Sequence, residues 1–89
     1  MKKYKVIIRA NGNPDHGEDP EEFLYPSEGY LADSIEECQK AVNEFIKSTG
    51  IGGGNWSGGQ VYDTSNGEFV GKISYNGRFW EKGHPYAKQ

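Results

Sequence analysis

Between Gly50 and Gly59 the chain reads GIGGGNWSGG, which places six of its 13 glycines in ten residues around one tryptophan, Trp56. No other composition loses as much backbone freedom on folding. The fold must offset that loss by a tight crossover, by a contact loop to a partner, or by close backbone approach to a ligand. The run also divides the chain. A helical pattern precedes it and a strand-rich pattern follows it, so the fold is organised around the connection between them.

Eighty-nine residues suit one domain with one small core. Only 34% of residues are apolar and mean hydropathy is −0.86, which leaves little for a deep substrate cavity beside that core. Aromatic residues, 13% of the chain, supply large buried area per side chain and argue against disorder. Cys38 is the sole cysteine, so an intramolecular disulfide is excluded and a tetrahedral zinc site lacks ligands. The apolar stretch Val6-Ile7-Ile8 is too short for a signal peptide or a membrane span, and a cytoplasmic location is expected.

Charge is segregated. Residues 1–10 carry four basic residues and no acid, whereas residues 15–37 carry nine acids and no lysine or arginine. The net charge of −3 is against a general nucleic-acid binder, and a solvated acidic flank is the plain reading of 15–37.

Tyr4, Val6, Ile8 and Ala10 alternate with Lys3, Lys5, Ile7 and Arg9, predicting a strand over about 3–10. The Pro- and acid-rich segment 14–22 reads as an exposed loop. Pro26 and Gly29 interrupt the next stretch, leaving a short strand near 28–32. Ser34 with Glu37, or Asp33 with Glu36, forms a capping box before an apolar stripe of Ile35, Cys38, Ala41, Val42, Phe45 and Ile46. With Gly50 as the left-handed terminator, this predicts a helix over about 34–48.

Two Asn-Gly pairs, at 66–67 and 76–77, then predict a three-stranded meander at about 60–64, 68–75 and 78–82. A two-residue turn at Asn76-Gly77 and a three-residue loop at Ser65–Gly67 put Val61, Phe69, Ile73 and Trp80 on the helix side. Tyr62, Val70, Lys72, Ser74, Phe79 and Glu81 then face outward. A tail from Gly83 is expected to fray. The fold class is α+β, in β(β)αβββ order, with a single helix packed on a three- to five-stranded antiparallel sheet.

No catalytic constellation is present, and an enzyme is not expected. The glycine run follows a helix and lacks the lysine and hydroxyl of a phosphate loop. Asn11-x-Asn13-x-Asp15, with Glu22 twelfth, echoes a calcium loop. However, His16 stands where the turn glycine belongs and a strand precedes in place of a helix. His16 and His84 each stand alone. Cys38 lies on the apolar stripe among acids, as a buried inert thiol. No catalytic residue, cofactor or metal ligand is assigned.

What remains is a surface. One helix cannot cover both faces of a sheet. The bare face would present Tyr62, Lys72 and Phe79, with Arg78 at the hairpin tip and Trp56 on the adjoining loop. These five are the candidate partner-binding residues. Aromatic and basic groups interleaved in this way suit stacking on single-stranded nucleic acid or a protein hot spot. The plainer alternative is that the face is covered by the chain itself or by a second copy in a homodimer.

From the helix onward, Gly59-x-Val61, Asn66-Gly67 and Ser74-Tyr75-Asn76-Gly77-Arg78-Phe79-Trp80 resemble small phage and mobile-element proteins of anti-defence type, in particular a compact sheet-plus-helix type I-F anti-CRISPR. About half the chain is covered, and the matching positions are turn and core residues, so no target-gripping residue is transferred. The resemblance implies a phage or mobile-element accessory protein that binds and inhibits a host protein or protein–nucleic acid complex without chemistry. The alternative function is a small nucleic-acid-binding module using the aromatic and basic face. An enzyme or metal protein built on residues 11–22 is third. No membrane partner is implied.

Overall fold

The computed structural model describes residues 2–12, 17 and 23–87. The acidic loop and most of the calcium-like spacing lie outside these residues. The order of elements is β1 (Tyr4–Asn11), β2 (Phe23–Ala32), α1 (Ile35–Thr49), β3 (Gln60–Asp63), β4 (Phe69–Ile73) and β5 (Phe79–Glu81). All five strands join one antiparallel sheet in the order β2-β1-β3-β4-β5, with α1 on one face. No helix among the described residues is long and apolar enough to cross a membrane.

The helix forms where capping and periodicity agree. The Ser34 side chain accepts a hydrogen bond from the Glu37 amide (3.2 Å), and Glu37 reaches back to accept from the Asp33 amide (2.6 Å). Gly50 ends it at φ 68°, its amide donating to the Ile46 carbonyl. Cys38 and Val42 are fully buried against Val6, Val61 and Ile73, with Ile8 and Ala32 alongside. Ile35, Phe45 and Ile46 close the margin of this core.

Strand β2 is longer than expected, at ten residues, and Pro26 lies inside it. Two features accommodate the missing N–H. The strand is an edge, and the pairing shifts between Ile8↔Glu28 and Ala10↔Tyr25, leaving Pro26 within an irregularity.

β2 and β3 flank β1 on opposite sides, so the helix carries the chain across β1. The glycine run completes that return. Its last residues lie beside β1, with Asn55 O accepting from Asn11 N, Ser57 N and Gly58 N donating to Arg9 O, and Gly59 N donating to Ile7 O. A side chain at Gly58 would sit 2.5 Å from the Ile7 carbonyl oxygen. The run is therefore a crossover in which main chain touches main chain.

Both hairpins depart from the expected registers. Ser74 N donates to Arg78 O, and Gly77 is left-handed at φ 85°, so the second loop has three residues, Tyr75–Gly77. This pairs Ile73 with Phe79 and Lys72 with Trp80, one residue away from the two-residue turn. A one-residue slip reverses every side chain of a strand. Phe79 thus packs on the helix side and Trp80 faces outward. In the first hairpin Asp63 N donates to Glu68 O, enclosing Thr64–Gly67 as a four-residue loop. A shift between Val61 and Tyr62 sets Phe69 opposite Tyr62, while Val70 packs against the core.

The C-terminal segment is also corrected. Residues 83–87 fold back in turns, with His84 N donating to Glu81 O and Ala87 N to His84 O, and Ala87 is buried. The His84 and Tyr86 rings lie 4.4 Å and 5.0 Å from that of Trp80. Their anchor is Trp80, which the expected hairpin register had placed on the helix side.

Burial, and then the charge of Glu37, pushes the Cys38 thiol up to about 11. An unfolded thiol ionises near ~8.5, so the folded chain holds this proton more tightly. Its stabilising effect is complete at lower pH and is lost as pH rises between those values. Relative to Cys38→Ala, the wild type is expected to lose an extra ~1.4 kcal/mol per pH unit across that window in urea titrations. Parallel profiles for the two proteins would refute the assignment.

Candidate binding face

Strand pairing defines which side chains share the face away from the helix. Lys5 stands opposite Leu31 on β2 and Tyr62 on β3, Tyr62 opposite Phe69, Gln60 opposite Lys72, and Lys72 opposite Trp80. Alternation adds Ile7 and Arg9 from β1. No helix or strand among the described residues lies across this face, and residues 83–87 fold back over its β5 end with the His84 and Tyr86 rings on Trp80. Leu31 is 51% exposed on it.

The register correction alters its chemistry. The expected outward set contained Glu81, Val70 and Phe79. The observed set has Trp80 and Phe69 instead, and Glu81 moves to the helix side with Gly71 and Phe79. The outward strand positions of the described residues therefore carry Lys5, Arg9 and Lys72 and no carboxylate. The nearest acid is Asp63 at the rim of the first turn. Its carboxylate accepts from the Ser65 hydroxyl and the Ser65 amide, and these bonds hold its pKa below the usual value.

Two shallow pockets occupy the face. The first, about 450 Å³, is bounded by Lys5, Leu31, Tyr62, Asp63, Thr64 and Gly67. The Lys5 stem runs over Gly29, where a Cβ would meet its Cδ at 2.9 Å, and its Nζ stands 5.9 Å from the Tyr62 ring centre. The Tyr62 ring is steadied by an edge contact to Phe69 at 5.9 Å. The second pocket, about 400 Å³, is lined by Lys72, Trp80, Tyr75, Tyr86 and Trp56, among others. Arg78 stacks over Trp80 with its guanidinium 4.4 Å from the ring centre.

The five expected contact residues divide accordingly. Tyr62, Lys72 and Arg78 stand on or beside the open face. Phe79 does not: its ring fills the space over Gly71, where a Cβ would lie 2.6 Å from Phe79 Cε1. Trp56 is mainly structural. Its Nε1 donates to the Ile73 carbonyl (3.0 Å) and its ring lies 6.0 Å from that of Phe45, so only part of it lines the second pocket. Sequence reasoning missed Trp80, Lys5, Phe69 and Tyr86. The signal for Trp80 was Gly71, a strand glycine that makes room for a large neighbour on its own face and so assigns Phe79 inward.

The centre of the face is tightly tied. Arg9 donates to the Ser57 hydroxyl (3.3 Å) and carbonyl (2.8 Å), and Gln60 Nε2 donates to the same carbonyl (3.1 Å). These bonds brace the glycine run from the open side. Compared with family models, with curated proteins and with solved structures, the chain matches none.

Proposed function

We propose that this chain is a small non-enzymatic binding protein that acts by laying the open face of its sheet against a larger host complex. The partner is a host protein or protein–nucleic acid complex, and the consequence is occlusion of a working surface, as the resemblance to phage anti-defence proteins implies. One observation carries the reading. The face opposite the helix holds Tyr62, Phe69 and Leu31 among Lys5, Lys72 and Arg78, with no helix or strand of the described residues laid over it, while Trp80 at its margin is packed by His84 and Tyr86. Aromatic and arginine side chains are the groups most enriched where interfaces draw their energy.

The test is a comparison of two variants in the producing host. Lys72→Glu with Arg78→Glu alters the open face, and Lys47→Glu alters the exposed far side of the helix. The wild type and Lys47→Glu are expected to capture one partner complex at fixed stoichiometry and to relieve host restriction of an incoming phage. The face variant is expected to lose both by more than tenfold. Equal capture by all three proteins would remove the open face from the mechanism.

A further inference from the structure

Independently of the open face, we infer that the outer edge of β2 takes up an extended, arginine-bearing segment of a partner protein as an added strand of the sheet. The direction of the main chain shows which groups are available for this. Lys3 O accepts from Thr64 N, Ile7 O from Gly59 N and Arg9 O from Gly58 N, so odd residues from 3 to 9 turn their peptide groups toward β3. Even residues turn theirs toward β2, which makes Val6↔Tyr30 and Ile8↔Glu28 the bonded pairs. Gly29 and Leu31 then point N–H and C=O away from the sheet, and no described residue bonds to them there. The opposite edge is less open, because β5 has three residues and residues 83–87 fold back beside it.

Side chains furnish both sides of the β2 edge. Toward the helix, a groove of about 400 Å³ opens between β2 and α1, floored by Ile8, Ala41 and Phe45 and walled by Tyr30, Glu28 and Glu44. Tyr30 is 49% exposed in it. The one ion pair among the described residues joins Lys2 to Asp33, so neither glutamate is neutralised. Toward the open face, Gly29 offers no side chain and the Lys5 stem lies over it, forming an apolar shelf beside Leu31. An added strand alternates between these two sides. Its helix-side residue must rest an apolar stem on the groove floor and bring a positive charge to two carboxylates, which arginine does. The flanking residues, turned to the shelf, must be apolar. Main-chain bonds supply the affinity and the groove the selectivity. The β2 strand of a second copy is the poorer occupant: it holds no lysine or arginine, and its one charged residue, Glu28, would bring a further carboxylate.

The probe is a labelled, end-capped peptide of about seven residues alternating valine with arginine, set against its glutamate counterpart in fluorescence anisotropy. The arginine peptide is expected to bind, and the glutamate peptide to bind at least about tenfold more weakly. Amide hydrogen exchange followed by NMR locates the contact. Gly29 and Leu31 should exchange quickly in the free protein and slow by about tenfold or more at saturation, while Tyr30, already bonded to β1, changes little. Glu28→Gln with Glu44→Gln is expected to weaken the arginine peptide roughly fivefold. Leu31→Pro removes only an outward donor, so it should abolish binding while leaving the thermal melt close to wild type. If that variant folds poorly, the exchange map of the wild type decides. Lys72→Glu with Arg78→Glu should not weaken the peptide, which keeps this proposal separable from the role of the open face. No anisotropy change, equal binding of the glutamate peptide, or slowed exchange that bypasses Gly29 and Leu31 overturns the inference. A chain that ignores the peptide, dimerises, and becomes monomeric as Leu31→Pro gives the edge to a second copy and overturns it equally.

Discussion

Alanine at position 59 is expected to remove a large part of the folding stability of this chain. Gly59 has φ 96°, and a Cβ there would overlap the Ile73 carbonyl oxygen and stand 3.0 Å from the Ile73 carbonyl carbon. Both neighbours are main chain, in a position fixed by the bond from Ile73 N to Gly59 O and by that from Gly59 N to Ile7 O. Relief requires β3 to separate from β4 or from β1. The conformational penalty alone is about 1–2 kcal/mol. With the overlap the loss should exceed ~4 kcal/mol, against a total stability of roughly 5–10 kcal/mol for a domain this size. Gly67→Ala and Gly50→Ala are the controls, since both have positive φ but open space around the new methyl. Each should cost only about 1 kcal/mol. Urea titration of the three variants decides the matter. If Gly59→Ala matches the controls, the crossover is looser than the hydrogen bonding indicates.

Trp56→Ala comes next, at about 3–5 kcal/mol, because it empties the joint between Phe45 and the end of β4. Trp56→Phe separates the two contributions. It keeps much of the ring but deprives the Ile73 carbonyl of its indole donor, a loss of about 1–3 kcal/mol. Denaturant midpoints measured on both variants should fall in that order. An alanine variant within about 1 kcal/mol of wild type would show that the ring is not part of the core. This also bears on function: a Trp56 variant that lost partner binding would do so by unfolding, and cannot be read as a contact residue without a stability measurement.

Local signals carried most of the fold. Ser34, Glu37 and Gly50 define both helix ends by their own hydrogen bonds, so the helix was legible within one residue at each end. The alternation of β1 was equally clear, because an interior strand with one covered face must keep period two. Register was another matter. Asn-Gly pairs mark where a chain turns, but the loop length depends on what the flanking side chains do. Here Asn76 Oδ1 accepts from Arg78 N, and Gln39 Nε2 on the helix donates to Gly77 O. Those bonds close a three-residue loop, and no residue between Ile73 and Phe79 declares that in isolation. The candidate face inherited the error, so Phe79 and Glu81 were placed outward and Trp80 inward. β2 was obscured for a different reason: Pro26 and Gly29 are poor strand residues, tolerated because one lies in a bulge at the edge and the other makes room for the Lys5 stem.

The first element in chain order, β1, lies inside the sheet, and its two neighbours arrive at very different times. β2 follows it soon; β3 comes only after the whole helix and the ten-residue return. On a ribosome, one rim of β1, with Val6, Ile7 and Ile8, stays unsatisfied until Gln60–Asp63 have emerged. Such a half-built ribbon invites pairing with another nascent chain. Lys5 and Arg9 on that same strand, with Lys3 just before it, act in that interval as mutual repulsion between identical copies, well before the finished sheet has any partner to meet.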